Sequence, residues 1–191
     1  MTSARRLHYD YGDYLGALDA GAIKLEFCEG VIYAMAGGTL AHAQLAARAI
    51  VALHAALPKT CRISTSDLKI RIDATDLSTF PDVSVVCGEP EASPCDANAL
   101  TNPSILVEVT SRSTEDYDRG DKLSHYKQID TLRAVLFVSH KTKRVTVVAR
   151  EPDGAGWSER DFRGGEVVTL PLHEASLSVD ALYDGIVLDP V

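Results

Sequence analysis

The chain has 191 residues, of which 46% are hydrophobic; this is enough for one core, and we expect a single domain over residues 1–191. A formal net charge of −8 argues against a protein that coats nucleic acid through an overall positive field, so any contact with phosphate must be local. No apolar run approaches the ~20 residues of a bilayer crossing and no signal-peptide segment is evident, so we expect a cytoplasmic protein without membrane contact.

The first third of the chain predicts two helices and a hairpin. A short helix fits residues 9–18, and strands over 23–28 and 31–35 follow it with hairpin spacing. Residues 40–57 are rich in helix formers and stop at Pro58, which predicts a long helix.

The rest of the chain is rich in predicted strands. Apolar and β-branched runs indicate strands over 61–65, 68–72, 82–87, 105–110, 134–139, 144–150 and 167–170. A helix over 113–130, capped by Ser113 or Thr114, and a short closing segment over 179–182 complete the elements. This order predicts an α/β (α+β) fold with a central mixed β-sheet flanked by helices.

Two further features of the sequence concern loops and cysteines. Residues 88–103 are rich in Pro, Glu, Ser, Asp and Asn, which predicts a surface loop. The four cysteines have neither a paired spacing nor a Cys/His metal spacing, so the sequence indicates neither a disulfide framework nor a zinc site. We expect them to be small buried hydrophobic residues or loop thiols.

Two carboxylates stand inside apolar strands. Asp82 follows Phe80-Pro81 and begins one predicted strand, and Glu108 lies among valines in another. An unpaired buried carboxylate is costly, so the two acids are expected to have a partner. If the strands are neighbours, a Mg²⁺ or Mn²⁺ ion held by both would relieve their repulsion, whereas salt-bridged or solvent-facing acids remain the structural alternative.

One face of the predicted helix over 113–130 carries three polar residues. Asp118, Lys122 and Tyr126 recur at a spacing of four, directly after the strand of Glu108, so an ammonium could lie near the two acids. The alternative is an ordinary surface ion pair with an amphipathic tyrosine.

Several short motifs over residues 25–148 together resemble the Uma-type restriction endonuclease family, a branch of the PD-(D/E)XK nuclease superfamily. In order along the chain, the motif residues are Leu25-Glu26, Glu29-Gly30, His42 at the start of a helix, Pro81-Asp82-Val83, Val107-Glu108-Val109, Ser111, Thr114, Asp118, Lys122 and Tyr126. The resemblance implies a restriction-endonuclease-like fold with a four- to five-stranded mixed sheet. The superfamily's motif has lysine two residues after the acid, where this chain has Thr110, and the matching lysine of the Uma-type branch is Lys122.

The resemblance also implies a function. It predicts a metal-dependent endonuclease that hydrolyses DNA, with Mg²⁺ or Mn²⁺ on Asp82, Glu108 and the carbonyl of Val109. Lys122, Glu26 and His42 complete the predicted catalytic set. We expect DNA as the partner, a homodimer for cutting two strands, and no organic cofactor. The alternative is an inactive nuclease-fold module for binding or assembly, which the net charge of −8 favours.

Overall fold

The three-dimensional structure is a computed structural model that describes residues 8–21, 23–35, 37–110 and 115–190. Within these residues the strands, in chain order, are β1 Leu25–Cys28, β2 Val31–Ala34, β3 Cys61–Thr65, β4 Lys69–Ile72, β5 Leu77–Thr79, β6 Val83–Cys87, β7 Ala92–Ser93, β8 Asp96–Leu100, β9 Ile105–Thr110, β10 Ala134–Ser139, β11 Arg144–Arg150, β12 Trp157–Arg163, β13 Val167–Thr169 and β14 Ser176–Ser178. The α-helices are α1 Tyr11–Ala20, α2 Leu40–Ala56, α3 Glu115–Tyr117, α4 Leu123–Tyr126 and α5 Val179–Leu182. A π-helical turn, Asp118–Lys122, joins α3 to α4.

Six strands form a mixed central sheet in the order β12-β11-β10-β9-β6-β3. Its β9 and β10 are parallel, and its other neighbouring strands are antiparallel. This confirms the predicted fold class. The sheet has one strand more than the four to five that the resemblance implied.

Both faces of the central sheet are covered. On one face, the α2 side chains Leu45, Ala49 and Leu53 pack against the sheet in one apolar core. On the other face lies a second six-stranded sheet, in the order β2-β1-β5-β4-β8-β7, whose Ile70 and Leu77 share a core with central-sheet residues. The sandwiched position of the central sheet explains why β9 and β10 are buried at every residue.

The alternation of β9 determines where Glu108 points. Ile105, Val107 and Val109 belong to the core on the α2 side, and Leu106 belongs to the core between the sheets. Because successive side chains of a strand face opposite ways, Glu108 shares the face of Leu106 and is directed towards the second sheet.

The prediction of a surface loop over residues 88–103 is wrong. The segment contributes β7 and β8, and β8 pairs with β4 in the second sheet. Asp96 at the start of β8 is buried and lies 2.6 Å from Lys69 Nζ. β8 has no β-branched residue and lacks the apolar run that marks a strand in sequence, which explains the error.

The interpretation of the cysteines is wrong for one pair. Cys61 and Cys87 are directly opposite each other on β3 and β6 and form a disulfide. Their separation of 26 residues carries no motif, because only the register of the two strands brings the thiols together.

The remaining elements lie close to their predicted positions. The helix predicted over 113–130 is described from residue 115 and reaches residue 126, while its predicted caps, Ser113 and Thr114, lie outside the described residues. The sequence does not predict strands β5, β12 and β14. No helix in the described part of the chain is long and apolar enough to cross a bilayer.

Candidate active site

A buried lysine and three carboxylates meet between the two sheets. Lys122 Nζ lies 3.0 Å from Glu108 Oε1, 3.3 Å from Glu26 Oε1 and 3.7 Å from Asp118 Oδ1. All four side chains are no more than 10% exposed. We call Glu26, Glu108, Asp118 and Lys122 the acid–lysine cluster. The surface ion pair that the sequence left open for Lys122 is therefore not what the structure contains.

Three separate elements supply this cluster. Glu26 comes from β1 of the second sheet, Glu108 from β9 of the central sheet, and the other two residues from the π-helical turn. Asp118 and Lys122 are both buried on the helical face that also carries Tyr126. The helical segment is thus anchored to both sheets through its polar face, and the sequence spacing of four predicted this face.

Glu108 has an unusual electrostatic environment. Burial is the main cause that raises its pKa, to about 8, and the nearby charges of Asp118 and Asp82 add to the rise. The ammonium of Lys122 and a hydrogen bond from the Tyr126 hydroxyl, at 2.5 Å, oppose it. Without a further cation, a proton is therefore partly retained on Glu108 at neutral pH.

Lys122 is held in its charged form. Burial alone disfavours an ammonium, but Glu108, Tyr126 and Glu26 surround it and together keep the pKa of Lys122 well above its usual value. The same burial, followed by the charge of Glu108, raises the pKa of Tyr126. Tyr126 thus acts as a hydrogen-bond donor to the carboxylate.

Asp82 lies at the edge of this region, immediately before β6. The backbone N–H of Val109 donates to Asp82 Oδ2 at 2.7 Å, and His42 Nε2 lies 3.2 Å from the same oxygen. The register of β6 and β9 pairs Val83 with Val107, and its continuation by one residue sets Asp82 opposite Glu108. The two strands are therefore adjacent, which was the condition for the two acids to lie close together, and the acids are neighbours.

The backbone carbonyl of Val109 is directed to the same side of β9 as Asp82. In extended backbone, the N–H and C=O of one residue point to the same side of the strand. Since the N–H of Val109 points to Asp82, the Val109 carbonyl is directed to that side as well. A carboxylate and a carbonyl thus flank the position next to Glu108.

His42 reaches Asp82 from the first turn of α2. Thr39 caps this helix by accepting a hydrogen bond from the His42 N–H at 3.2 Å. The hydrogen bond to Asp82 is the main cause that raises the pKa of His42, and burial opposes it. A Cβ atom at Gly38 would lie 2.5 Å from His42 Nδ1, so a glycine here gives the imidazole its room. The sequence motif includes His42 but carries no signal for Gly38.

Glu26 has a second partner that the sequence did not reveal. The Thr79 hydroxyl, from the neighbouring β5, donates a short hydrogen bond to Glu26 Oε1, and Thr79 is fully buried. A threonine in a three-residue strand without charges carries no sequence signal for this role. Thr110, where the superfamily motif has lysine, is also buried, and its hydroxyl has no hydrogen-bond partner among the described residues. The motif residues Ser111 and Thr114 lie outside the described residues.

The donor set fits a hard divalent cation. Four carboxylates surround one ammonium and one imidazole. The carboxylates belong to Glu26, Asp82, Glu108 and Asp118, the ammonium to Lys122 and the imidazole to His42. Negative charge is in excess even if His42 is protonated. Mg²⁺ and Mn²⁺ prefer such oxygen ligands. Burial is the main cause that raises the pKa of Glu108, and the nearby charges of Asp118 and Asp82 add to it, so a cation here would favour the charged carboxylate.

The chain is similar in sequence to two proteins of Synechocystis sp. and similar in fold to a solved structure. The uncharacterized protein slr1290 of Synechocystis sp. is 34% identical over 164 residues, which are 85% of this chain and 85% of that protein. The uncharacterized protein sll1609 of the same organism is 30% identical over 138 residues, which are 70% of this chain and 76% of that protein. A crystal structure of a "putative nuclease belonging to DUF820" from Anabaena variabilis superposes with a TM-score of 0.74 at 16% identity, and covers 92% of this chain and 98% of that one.

A family model supplies the remaining comparison. Uma2, described as "Putative restriction endonuclease", matches residues 10–181, a longer range than the 25–148 over which the motifs were recognised. The match includes every residue of the acid–lysine cluster, Asp82 and His42. Because it spans most of the sequence, the resemblance is confirmed and the chain belongs to the Uma2 family.

Proposed function

We propose that the chain is a metal-dependent endonuclease that hydrolyses DNA phosphodiester bonds at the site around Glu108. The observation that carries this proposal is the excess of buried carboxylate over positive charge where Asp82 and Glu108 are neighbours. Asp82, Glu108 and the carbonyl of Val109 are the proposed ligands of Mg²⁺ or Mn²⁺. Family membership supports a nuclease role, and the Anabaena variabilis structure supports the fold.

The proposed ion would have a limited chemical task. It would neutralise charge on a phosphate and acidify a bound water, which is how a chain with a net charge of −8 could approach DNA. Few protein ligands suffice, because Mg²⁺ usually keeps several of its waters.

The chain's own residues then have distinct roles. Hydrolysis forms a bond from a water oxygen to phosphorus and breaks a bond from phosphorus to a deoxyribose oxygen, so one proton must leave the water and one must reach the departing oxygen. His42, whose raised pKa favours the protonated form, is proposed to hold one of these protons against Asp82. Lys122 is proposed to orient the water or to offset developing charge beside Glu108. Glu26, fixed by Thr79, is proposed to hold the ammonium in position.

The setting of this activity is also part of the proposal. We propose that the enzyme works in the cytoplasm on DNA, and that it forms a homodimer where both strands of a duplex are cut. Size-exclusion chromatography coupled to light scattering would measure the assembly directly, and a monomer on cleaved duplex DNA would contradict the dimer.

A second candidate is a nuclease-fold module that binds or assembles without cutting. The observation that favours it is the burial of Lys122, which is only 4% exposed and is already occupied by three carboxylates. In this reading the ammonium stabilises the fold and takes no part in a reaction.

Cleavage assays test the proposed function. Plasmid DNA and single-stranded DNA are each incubated with the wild-type chain and Mg²⁺ or Mn²⁺. Comparison of the two cleavage rates shows whether double-stranded or single-stranded DNA is the substrate. Asp82→Asn and Glu108→Gln keep the side-chain shapes and should abolish metal-stimulated cleavage, and Lys122→Ala should lower it by about 100-fold or more. Asp67→Asn, which alters an exposed acid, is the control and should cut like the wild type. Wild-type rates in any of the three site variants would contradict the site.

Calorimetry separates the two candidates. Titration of the wild type with Mn²⁺ should give binding that Glu108→Gln removes. If the wild type binds no Mn²⁺ and cuts no DNA, the binding module becomes the better description.

A further inference from the structure

A second group of metal-binding side chains lies away from the acid–lysine cluster. Cys61, Cys87 and His173 each offer a ligand atom, and these atoms all lie within 4.8 Å of one another. Cys87 ends β6 and Asp82 precedes it, so the group is about 17 Å from Asp82 along an extended strand. The two sites are therefore separate.

The strand register brings the two sulfurs together. Cys61 begins β3, Cys87 is directly opposite it on β6, and their Cα atoms are 3.9 Å apart. A hydrogen bond from the Gly88 N–H to the Thr60 carbonyl, at 3.1 Å, closes the ladder just beyond the pair. Cys61 is 8% exposed and Cys87 is half-buried, so the sulfurs lie at the rim of the core on the α2 side.

The imidazole comes from a tight connection between β13 and β14. The Leu170 N–H donates to the Ala175 carbonyl at 2.9 Å, and the Ala175 N–H donates to the Leu172 carbonyl at 3.2 Å. His173 has a φ of +56° and lies in the left-handed region, which is uncommon for residues other than glycine, although histidine tolerates it better than most. The fold thus places an exposed imidazole within 4.8 Å of the two sulfurs, although the segment is far from both cysteines in sequence.

The chemistry of the three donors differs from that of the acid–lysine cluster. Thiolates and an imidazole are ligands for Zn²⁺, whereas Mg²⁺ and Mn²⁺ prefer carboxylates. Ligand atoms of a tetrahedral zinc site lie roughly 3.5–3.8 Å apart, so small side-chain rotations would bring these three atoms to a common ion. The disulfide bonds the sulfurs to each other and leaves no thiolate, so the disulfide and the metal site exclude each other.

We infer that the reduced form of the chain binds one Zn²⁺ ion through Cys61, Cys87 and His173, with water in the fourth position. Each thiol that binds releases its proton to solvent. The disulfide form cannot bind the ion in this way. The site then reports the thiol–disulfide state of the protein as the presence or absence of zinc.

The test starts from two forms of the 191-residue chain. A trialkylphosphine in water converts the disulfide to two thiols and is itself oxidised to the phosphine oxide, and air-oxidised protein is the comparison. Each form is titrated with Zn²⁺ by calorimetry and with Co²⁺ by absorption spectroscopy. Co²⁺ gives a near-ultraviolet band only where thiolate sulfur binds it, so ions on the carboxylates around Glu108 do not contribute.

The reduced wild type is expected to bind one equivalent with the thiolate band, and the oxidised form is expected to show no band. Cys61→Ser should abolish the band, and His173→Ala should weaken Zn²⁺ binding by about 10-fold or more. Circular dichroism of His173→Ala should match the wild type, because this residue is exposed. Cys28→Ser and Cys95→Ser alter the two free cysteines and should leave the titration unchanged.

Two results would overturn the inference. One is a reduced wild type without the thiolate band. The other is a band that His173→Ala leaves at full affinity, which would show that the thiolates bind the ion without the imidazole. The same titration in Glu108→Gln should be unchanged, so the outcome does not depend on the endonuclease proposal.

Discussion

The most consequential residue of the site is Glu108, because its charge depends on what surrounds it. Its carboxylate is 5% exposed and shares one ammonium with Glu26 and Asp118. Burial is the main cause that raises the pKa of Glu108 to about 8, and the ammonium that it shares with two other carboxylates offsets this only in part. With this pKa a proton is partly retained on Glu108 at neutral pH, so a proton and a divalent cation would compete for the same group.

This competition predicts how stability depends on pH. The pKa of Glu108 is about 8 in the folded chain and near its ordinary value when unfolded, so the unfolded chain loses the proton first as pH rises. Without metal, this group's contribution is fully present below the unfolded pKa and is lost as pH rises to about 8, with a slope of at most about 1.4 kcal/mol per pH unit. Glu108→Gln should remove this slope. Urea unfolding of both proteins with a chelator, from pH 5 to pH 8, measures it, and parallel curves would contradict the prediction.

His42 offers a local probe of the same region. Its hydrogen bond to Asp82 is the main cause that raises its pKa, so Asp82→Asn should lower that pKa. An NMR titration of the imidazole resonances measures the change. His54, on an exposed position of the same helix, provides a resonance that should not respond to the substitution. An unchanged His42 titration in Asp82→Asn would show that the pair does not form in solution.

At the residue scale, sequence patterns single out the charged residues that meet in the candidate site, but not the uncharged residues that contact them. Asp82 and Glu108 were recognisable because each is an acid among apolar strand residues, and Lys122 because of its spacing and the family motif. Thr79 and Gly38 were not, because their roles depend only on where the second sheet and α2 come close to the acids. Their residue types occur in most loops and strands, so no local pattern singles them out.

At the scale of elements, the predictions succeeded where hydrophobic patterning was strong. β9 and β10 are rich in apolar residues and α2 is a long run of helix formers, and all three lie where predicted. In β8, Asp96 and Ala99 are buried, and the two residues between them are exposed, so the strand lacks the regular alternation of buried and exposed residues. Its sequence therefore favours a loop. Its strand conformation depends on β4 and on the ion pair with Lys69, which are tertiary contacts.

This ion pair predicts that one position of the segment 88–103 is important for stability and another is not. Asp96 and Lys69 are 5% and 8% exposed, and Tyr11 also donates to Asp96, at 2.8 Å. Asp96→Ala leaves the ammonium buried without its partner and should cost about 3–5 kcal/mol in the free energy of unfolding. The Glu89 side chain pairs with Arg62 and is 91% exposed, so Glu89→Ala should change the denaturation midpoint little. Equal midpoints for the two variants would mean that the pair in the second sheet contributes no more than a surface contact.

At the scale of the whole molecule, the two sheets pack against each other and enclose the acids between them. The central sheet supplies Glu108, the second sheet supplies Glu26, and the helical segment from 115 to 126 supplies the cation that links them. Separation of the sheets on unfolding would therefore disperse the proposed metal ligands. Folding and ion binding are expected to be linked, because the unfolded chain has no assembled site.

The linkage between folding and ion binding predicts that Mn²⁺ raises the melting temperature. At a free Mn²⁺ concentration of about 100 times the dissociation constant, binding to the folded state alone should add about 2.7 kcal/mol to the free energy of unfolding. For a chain of this size the melting temperature should rise by roughly 5–10 °C. Because the Glu108 proton competes with the ion, the apparent affinity should weaken by up to about 10-fold for each pH unit below the pKa of about 8. Differential scanning calorimetry of the wild type and Glu108→Gln, at pH 6 and pH 8 with and without Mn²⁺, measures both effects. A rise that persists in Glu108→Gln, or that is larger at pH 6 than at pH 8, would place the ion elsewhere on the molecule, since only binding at Glu108 requires that carboxylate to lose its proton.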